Sequence, residues 1–309
     1  MLQANAPSFK ARPIRITEVG PRDGLQNEPA VISTESKIAF INALSRTGVA
    51  EIEAGAFVSP KAVPQMVDSD DVFRKIERLP GIVYSALVPN ERGLERARAL
   101  SVQKIGLFTA ASETFTKRNI NATIRESLDR FKPVVAGARR DGMAVRGYIS
   151  TTWFCPYEGR IDPARVTDVM TRLFDLGVDE ISLGDTVGRA SPSDVRILLD
   201  AALPQIARSR LSLHFHETYG MAVANALTAW SDYEIEAFDS SAGGLGGCPY
   251  APGASGNVAT EDVVYALKAS GAMVLVDEWN VVAAAQQLER ILNHPLRSRL
   301  SQVKDLREP

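Results

Sequence analysis

Two histidines separated by one residue are the strongest chemical signal in this sequence. His214 and His216 are two of only three histidines among the 309 residues. Because alternate residues of a β-strand point to the same face, two imidazoles with this spacing can bind one metal ion. The alternative is that one or both are hydrogen-bonded residues of the core or rim. The third histidine, His294, is distant in sequence and is predicted to lie on the surface.

Other residues with side chains suited to metal binding or catalysis lie near the N-terminus and in the last third of the chain. Asp23 is a natural carboxylate partner for the histidines, and a shell of nitrogen and oxygen ligands suits Mg²⁺, Mn²⁺ or Zn²⁺. Taken alone, Asp23 would be a turn residue before Gly24, and Arg22 a solvated or structurally paired arginine. Five residues, 243–247, include four glycines and precede Cys248. We interpret this segment as a mobile loop that delivers a thiol, although a glycine run alone also fits a plain flexible loop.

These residues need a scaffold, and apolar runs and helical periods predict eight alternating strand and helix units. The predicted strands are 14–19, 51–56, 83–88, 104–109, 145–151, 180–183, 211–216 and 236–239. The predicted helices are 36–46, 69–77, 91–100, 123–140, 163–176, 192–207, 221–231 and 260–270, with an additional outer helix at 277–293. Consecutive units without a linker favour a single-domain (β/α)8 TIM barrel over residues 1–309, with an open doubly wound sheet as the alternative.

The active site of such a barrel lies at the C-terminal ends of its strands. The polar candidates lie within or after the predicted strands: Arg22, Asp23, Glu53, Asp185, His214, His216, Cys248 and Asn257. The sequence therefore predicts that they meet at one end of the barrel.

Composition excludes several classes of protein. With 45% hydrophobic and 23% charged residues, the chain is typical of a soluble globular protein. Its net charge of −2 argues against nucleic-acid binding, and it has no apolar run of about 20 residues that would span a membrane. Two cysteines are too few for a disulfide scaffold, which predicts a cytoplasmic protein. The glycine run lacks the Gly-Lys-Ser/Thr of a Walker phosphate loop.

Residues 16–272 resemble the 3-hydroxy-3-methylglutaryl-CoA (HMG-CoA) lyases, a family of the DRE-TIM metallolyase superfamily. The similar motifs are EVGPRDGLQNE at 18–28, FVSPKAVPQM at 57–66, ASETFTKRNIN at 111–121, CPYEG at 155–159, SLGDT at 182–186, HFHETYG at 214–220 and GGLGGCPYAPGASGNVATEDVVY at 243–265. The last motif resembles the family signature around a catalytic cysteine.

The resemblance implies one bound Mg²⁺ or Mn²⁺, with the substrate completing its shell. The implied ligands are Asp23, His214, His216 and Asn257. It further implies that Arg22 stabilises enolate charge, that Glu53 and Asp185 lie beside metal and substrate, and that Cys248 is the loop cysteine. The implied partners are an acyl-CoA substrate and a second copy of the chain in a homodimer.

The implied reaction is a retro-Claisen cleavage of HMG-CoA to acetoacetate and acetyl-CoA. Asp23, Asp185 and His214 remain alternatives for the base, and Cys248, or a water that it positions, would protonate the enolate carbon. The competing hypotheses are a lyase, aldolase or Claisen synthase of the same superfamily acting on another 3-hydroxy acyl-CoA or 2-oxo acid, and a non-catalytic metal-binding protein. Four departures from the family pattern leave the acyl group and CoA binding open: Pro29, Ala62, Phe154 and Glu217.

Overall fold

Eight parallel strands close into a barrel in the computed structural model, which describes residues 12–247, 256–292 and 294–303. The strands are β1 (Arg15–Glu18), β2 (Glu51–Ala56), β3 (Val83–Leu87), β4 (Lys104–Ala110), β5 (Ala144–Ser150), β8 (Glu180–Asp185), β9 (Leu211–Phe215) and β10 (Ala237–Ser240). A separate antiparallel hairpin pairs β6 (Phe154–Cys155) with β7 (Gly159–Arg160). In the barrel, β1 pairs with both β2 and β10. The predicted (β/α)8 barrel is confirmed, and the open-sheet alternative is wrong.

Helices alternate with the barrel strands, as the apolar periodicity predicts. Those in the described residues are α1 (Thr34–Leu44), α2 (Ser69–Lys75), α3 (Glu91–Ala99), α4 (Glu113–Ile120), α5 (Ile124–Arg140), α6 (Pro163–Asp175), α7 (Pro192–Ala202), α8 (Ala222–Tyr233), α9 (Thr260–Ala269) and α10 (Glu278–Leu292). The outer helix α10 packs against α1 and α9. That all 309 residues form one domain stays a prediction. None of the helices in the described part of the chain has the length and apolar character needed to span a bilayer.

The structure corrects two details of the predicted elements. The prediction of a helix at 192–207 was wrong at its C-terminus, because α7 ends at Ala202. Pro204 explains this end, because it has no backbone N–H with which to continue the hydrogen bonds of the helix. The short helix α4 was not predicted; the hydroxyl of Ser112 caps it by accepting a hydrogen bond from the backbone N–H of Phe115 at 3.1 Å.

The barrel interior carries a layer of charged side chains near the N-terminal ends of the strands. We call it the lower ionic layer: Glu51, Lys104, Arg146, Glu180 and Asp239. The ammonium of Lys104 lies 2.6 Å from Glu51 Oε2 and also pairs with Glu180. The guanidinium of Arg146 pairs with Glu180 and lies 2.8 Å from Asp239 Oδ1. Every charged group in this layer therefore has an oppositely charged partner.

Candidate active site

A π-helical turn directly after β1 carries Arg22 and Asp23 to the C-terminal end of the barrel. In this turn, Gly20–Gly24, the backbone N–H groups of Arg22, Asp23 and Gly24 converge on the carbonyl oxygen of Val19 at 3.1, 2.7 and 3.1 Å. A Cβ at Gly20 would lie 2.6 Å from Glu18 Oε1, so a larger residue there would displace a carboxylate that is hydrogen-bonded to Ala242 and Thr260. The tight turn projects two consecutive charged side chains over the same end of the barrel.

The histidine pair lies next to Asp23. His214 belongs to β9 and His216 follows it, and their Nε2 atoms are 3.2 Å apart. One ligand atom from each of Asp23, His214 and His216 lies within 4.8 Å of the other two. Two cis ligands of an octahedral ion with bonds of about 2.1 Å would be about 3 Å apart, so the imidazole spacing fits one divalent cation.

Asn257 adds an oxygen to this group. Its side-chain N–H₂ donates to Asp23 Oδ2 and to the carbonyl oxygen of Leu245, both at 3.0 Å. Its Oδ1 atom is buried and has no hydrogen-bond partner within the described residues. A buried hydrogen-bond acceptor destabilises the folded protein unless it has a hydrogen-bond donor or a cation as a partner. An unpaired amide oxygen, a carboxylate and two imidazoles form a donor set that fits a divalent metal ion.

Arg22 is held rigidly beside these donors. Its Nε and Nη2 atoms both lie 2.6 Å from Glu53 Oε2, and its Nη1 donates to Asp23 Oδ1 at 2.6 Å. The guanidinium carbon also lies 5.8 Å from the centre of the Tyr148 ring. The second carboxylate oxygen of Glu53 is buried without a partner in the described structure. We call Arg22, Asp23, Glu53, His214, His216 and Asn257 the upper cluster.

The charges of the upper cluster shift the pKa values of its members. Burial raises the pKa of Asp23, but the charges of Arg22 and the two histidines outweigh burial and lower it overall. Burial, and then repulsion from His214, lowers the pKa of His216 to about 4. Asp23 is therefore ionised and His216 neutral near pH 7, which are the forms that bind a cation.

Asp185, also predicted in the site, faces a different set of partners. Ser182, three residues earlier in β8, donates to Asp239 inside the barrel, so alternation places Asp185 on the opposite face of the strand. The Asp185 carboxylate accepts hydrogen bonds from the backbone N–H groups of Arg189 at 3.2 Å and Ala190 at 3.0 Å. Burial raises its pKa to about 6 despite these bonds. Asp185 thus holds the loop after β8, and its catalytic role stays a prediction.

Cys248 lies outside the described residues, but the base of its loop is well defined. The buried carboxylate of Glu18 accepts from the backbone N–H of Ala242 at 2.9 Å and from the Thr260 hydroxyl at 2.6 Å. The carboxylate of Glu261 accepts from the backbone N–H of Gly243 at 3.0 Å. Two buried acidic residues therefore hold the turn from which the glycine-rich segment starts.

That segment then passes the proposed metal ligands. Gly246 has a φ of +116°, and a Cβ there would lie 2.6 Å from Asn257 Nδ2. The next residue, Gly247, accepts a hydrogen bond from the Asn27 side chain at 3.2 Å. The chain leading to Cys248 thus runs directly beside the upper cluster.

Sequence reasoning missed Asp239, whose side chain lies beneath the histidine pair. Asp239 Oδ1 accepts hydrogen bonds from Arg146 at 2.8 Å and Ser212 at 3.0 Å. Asp239 Oδ2 accepts from Ser182 at 2.6 Å and lies 3.5 Å from His214 Nδ1. The available signal was the charged residue itself, at the end of a predicted strand. Alternation places Asp239 and the apolar Phe238 on opposite faces of that strand, with Asp239 inside the barrel.

Two departures from the family pattern have structural partners. The Phe154 ring contacts Arg160 and Arg189, each with its guanidinium carbon 4.7 Å from the ring centre. The carboxylate of Glu217 accepts from the backbone N–H of Ala222 at 2.8 Å, at the first residue of α8. Both residues therefore stabilise segments around the barrel mouth.

Comparisons with known proteins agree with this architecture. Residues 13–293 match the model of the HMGL-like family. A cytoplasmic HMG-CoA lyase of Rattus norvegicus is 47% identical over 94% of this chain and 84% of its own length. The crystal structure of a hydroxymethylglutaryl-CoA lyase from Pseudomonas aeruginosa superimposes with a TM-score of 0.92 at 46% identity, covering 94% of this chain and 97% of that one.

A third relative was solved with ligands. The HMG-CoA lyase of Acinetobacter baumannii, in complex with coenzyme A and 3-methylmalate, has a TM-score of 0.90 at 37% identity and covers 96% of this chain and 97% of that one. Matching relatives carry either "cytoplasmic" or "mitochondrial" in their names. With family model, sequence and structure in agreement over nearly the whole chain, this protein belongs to the HMGL-like family, among its hydroxymethylglutaryl-CoA lyases.

Proposed function

We propose that this protein cleaves 3-hydroxy-3-methylglutaryl-CoA to acetoacetate and acetyl-CoA by a metal-dependent retro-Claisen reaction. The observation that carries the proposal is the upper cluster, in which a buried arginine lies directly beside four residues suited to bind one divalent cation. The cation would be Mg²⁺ or Mn²⁺, held by Asp23, His214, His216 and Asn257. When bound, it would lower the pKa of the substrate's tertiary hydroxyl by Lewis-acid polarisation.

Arg22 would stabilise the negative charge that develops as the carbon–carbon bond breaks. The bonding electrons move onto the thioester fragment, which leaves as an enolate. Glu53 and Asp23 already hold the guanidinium at 2.6 Å, so little reorganisation is needed when this charge appears. Such preorganised donors are commonly the largest single contribution to catalysis.

The remaining steps move two protons. A base removes the hydroxyl proton, and the geometry favours Asp23. The Asp185 carboxylate is occupied by backbone N–H groups of its own loop, and His214 Nε2 faces the proposed metal site. The enolate carbon then needs a proton to become the methyl group of acetyl-CoA. We assign that delivery to Cys248, or to a water that it positions, because the loop leading to it passes Asn257.

The acyl-CoA substrate class is supported by the relative solved with coenzyme A. The second candidate function is cleavage of another 3-hydroxy-3-alkylglutaryl-CoA. It is favoured by the departures from the family pattern at Pro29 and Ala62, in the segments that follow β1 and β2. We also propose that the protein works in the cytoplasm as a homodimer.

A substrate panel tests the proposal. Purified protein with Mg²⁺ or Mn²⁺ would be supplied with HMG-CoA and with homologues carrying longer 3-alkyl groups, and acetyl-CoA and the oxo acid would be measured together. We expect the largest kcat/KM with HMG-CoA, with both products in equal amounts. A larger kcat/KM for a homologue would identify that homologue as the preferred substrate. If no acetyl-CoA were released from any of these thioesters, lyase activity would be refuted.

A further inference from the structure

A buried carboxylate beneath the histidine pair has no role in the mechanism described so far. Asp239 lies in β10, where register pairs it with His214 of β9. Its side chain is buried, and its Oδ2 atom lies 3.5 Å from Nδ1 of His214. This places a negative charge behind the imidazole, on the side away from the His216 ring nitrogen.

The two nitrogens of His214 therefore face different surroundings. A neutral imidazole carries one N–H, so binding a cation through Nε2 requires the proton to be on Nδ1. His214 Nε2 lies 3.2 Å from His216 Nε2, in the proposed metal site, whereas Nδ1 faces a group that can only accept hydrogen bonds. We propose that Asp239 is a positioning residue that keeps the His214 proton on Nδ1 and aims Nε2 at the metal; this inference rests on the proposed metal site.

The surroundings of Asp239 fix which oxygen faces the histidine. Oδ1 accepts from Arg146 at 2.8 Å and from Ser212 at 3.0 Å. Oδ2 accepts from Ser182 at 2.6 Å. Because Arg146 also pairs with Glu180, the carboxylate is anchored to the lower ionic layer. Asp239 thus connects the lower ionic layer to His214, a proposed metal ligand of the upper cluster.

Because the Asp239 carboxylate is anchored in this way, the effect of replacing it with the amide of asparagine can be predicted. In Asp239→Asn, the side-chain oxygen would stay on the Oδ1 side, where Arg146 and Ser212 donate to it. The N–H₂ group would then occupy the Oδ2 side and donate towards His214 Nδ1. That bond favours the Nε2–H tautomer, which has no free electron pair for the metal. Partners of this kind typically change metal affinity by about 10- to 100-fold.

Mn²⁺ binding, followed by electron paramagnetic resonance, tests the inference. We expect Asp239→Asn to bind Mn²⁺ about 10- to 100-fold more weakly than the wild type. The matched control is Ser212→Ala, which removes a hydrogen bond from the same carboxylate but keeps its charge and its contact with His214; it should bind Mn²⁺ like the wild type. Thermal melting of both variants would separate a local effect from unfolding.

Nitrogen-15 NMR of the histidines gives a second readout that needs neither a variant nor a metal. The chain has only three histidines, so the resonances can be assigned. In the metal-free wild type, at a pH where the rings are neutral, we expect His214 to carry its proton on Nδ1. A dominant Nε2–H tautomer, or a folded Asp239→Asn variant with unchanged Mn²⁺ affinity, would overturn the inference. A wild type that binds no Mn²⁺ would instead overturn the proposed function.

Discussion

The lower ionic layer and the upper cluster contain similar residue types in the same barrel but differ in how their atoms are satisfied. In the lower layer, Lys104 and Arg146 neutralise the carboxylates that surround them, and among the described atoms of this layer one buried oxygen, Glu51 Oε1, lacks a hydrogen-bond partner. In the upper cluster, two imidazole nitrogens face each other at 3.2 Å and a buried amide oxygen of Asn257 lacks a described partner. Charge inside a barrel is therefore not itself evidence of a site. Unsatisfied donor atoms gathered in one place are the informative feature.

The largest expected effect belongs to Cys248, which follows the glycine-rich segment 243–247. Cys248→Ala should lower kcat by about 10² to 10⁴-fold, the usual contribution of a proton-transfer group, while leaving Mn²⁺ affinity unchanged. Cys155→Ala is the matched control, because Cys155 is buried, contacts the Ser112 hydroxyl and is not among the proposed catalytic residues or metal ligands. Steady-state kinetics on HMG-CoA would measure both. Near-normal turnover in Cys248→Ala would remove the thiol from the mechanism.

Arg22→Met should lower kcat by about 100-fold or more, because the guanidinium stabilises charge that appears only as the bond breaks. Arg96→Met is a suitable control, since Arg96 pairs with Asp70 and stacks on Phe57. Separate values of kcat and KM decide the outcome. A rise in KM alone would show that Arg22 binds substrate and does not stabilise the enolate.

Lys104→Met tests the lower ionic layer. Removing one partner of a buried ion pair leaves an uncompensated charge, so the free energy of unfolding should fall by about 3 kcal/mol or more. Arg146 still holds Asp239 in this variant, and Mn²⁺ affinity should stay close to the wild-type value. Urea unfolding and Mn²⁺ titration would measure the two quantities. A loss of affinity as large as that in Asp239→Asn would mean that the two layers are not separable.

The smallest effect concerns Glu18, beneath the glycine-rich segment. Burial raises its pKa from 4.5 to about 7, so the folded protein binds a proton more tightly than the unfolded chain. This contribution to stability is complete below about pH 4.5 and is lost as pH rises through about 7. Glu18→Gln removes the titration, and its Tm relative to wild type should therefore increase between about pH 5 and pH 8. A constant difference in Tm across that range would contradict the raised pKa.

Much of the fold could be predicted from the sequence, because the periodicity of apolar residues and the polar or turn residues that bound each element are local properties of the chain. The eight strands lie within two residues of the predicted bounds, since each apolar run is bounded by polar or turn residues. The helix α4 was missed because its sequence, ETFTKRNI, is mostly polar and packs only Phe115 and Thr116 inside. The end of α7 was misplaced because the apolar pattern continues past Pro204.

The residues of the site also divide into those that local sequence predicts and those that depend on the assembled barrel. Residues at strand ends, such as Asp23 and His214, could be predicted because the C-terminal ends of parallel strands meet. The direction of the Asp185 side chain could not, because the predicted strand stopped at 183 and its face was undefined. The role of Asp239 depends on which strands are neighbours and in what register, and the distance between β5 and β10 in sequence hides its pairing with Arg146.

The central claim is that the upper cluster binds the cation on which carbon–carbon cleavage depends. The most direct test strips the protein with a chelator, restores Mn²⁺ stepwise and follows acetyl-CoA release from HMG-CoA, in the wild type and in His216→Ala. We predict that the stripped wild type is inactive and regains full activity at one Mn²⁺ per chain, while His216→Ala stays folded but needs far more Mn²⁺ and regains little. Full activity in the presence of chelator, or a His216→Ala variant with unchanged metal content and turnover, would contradict the account.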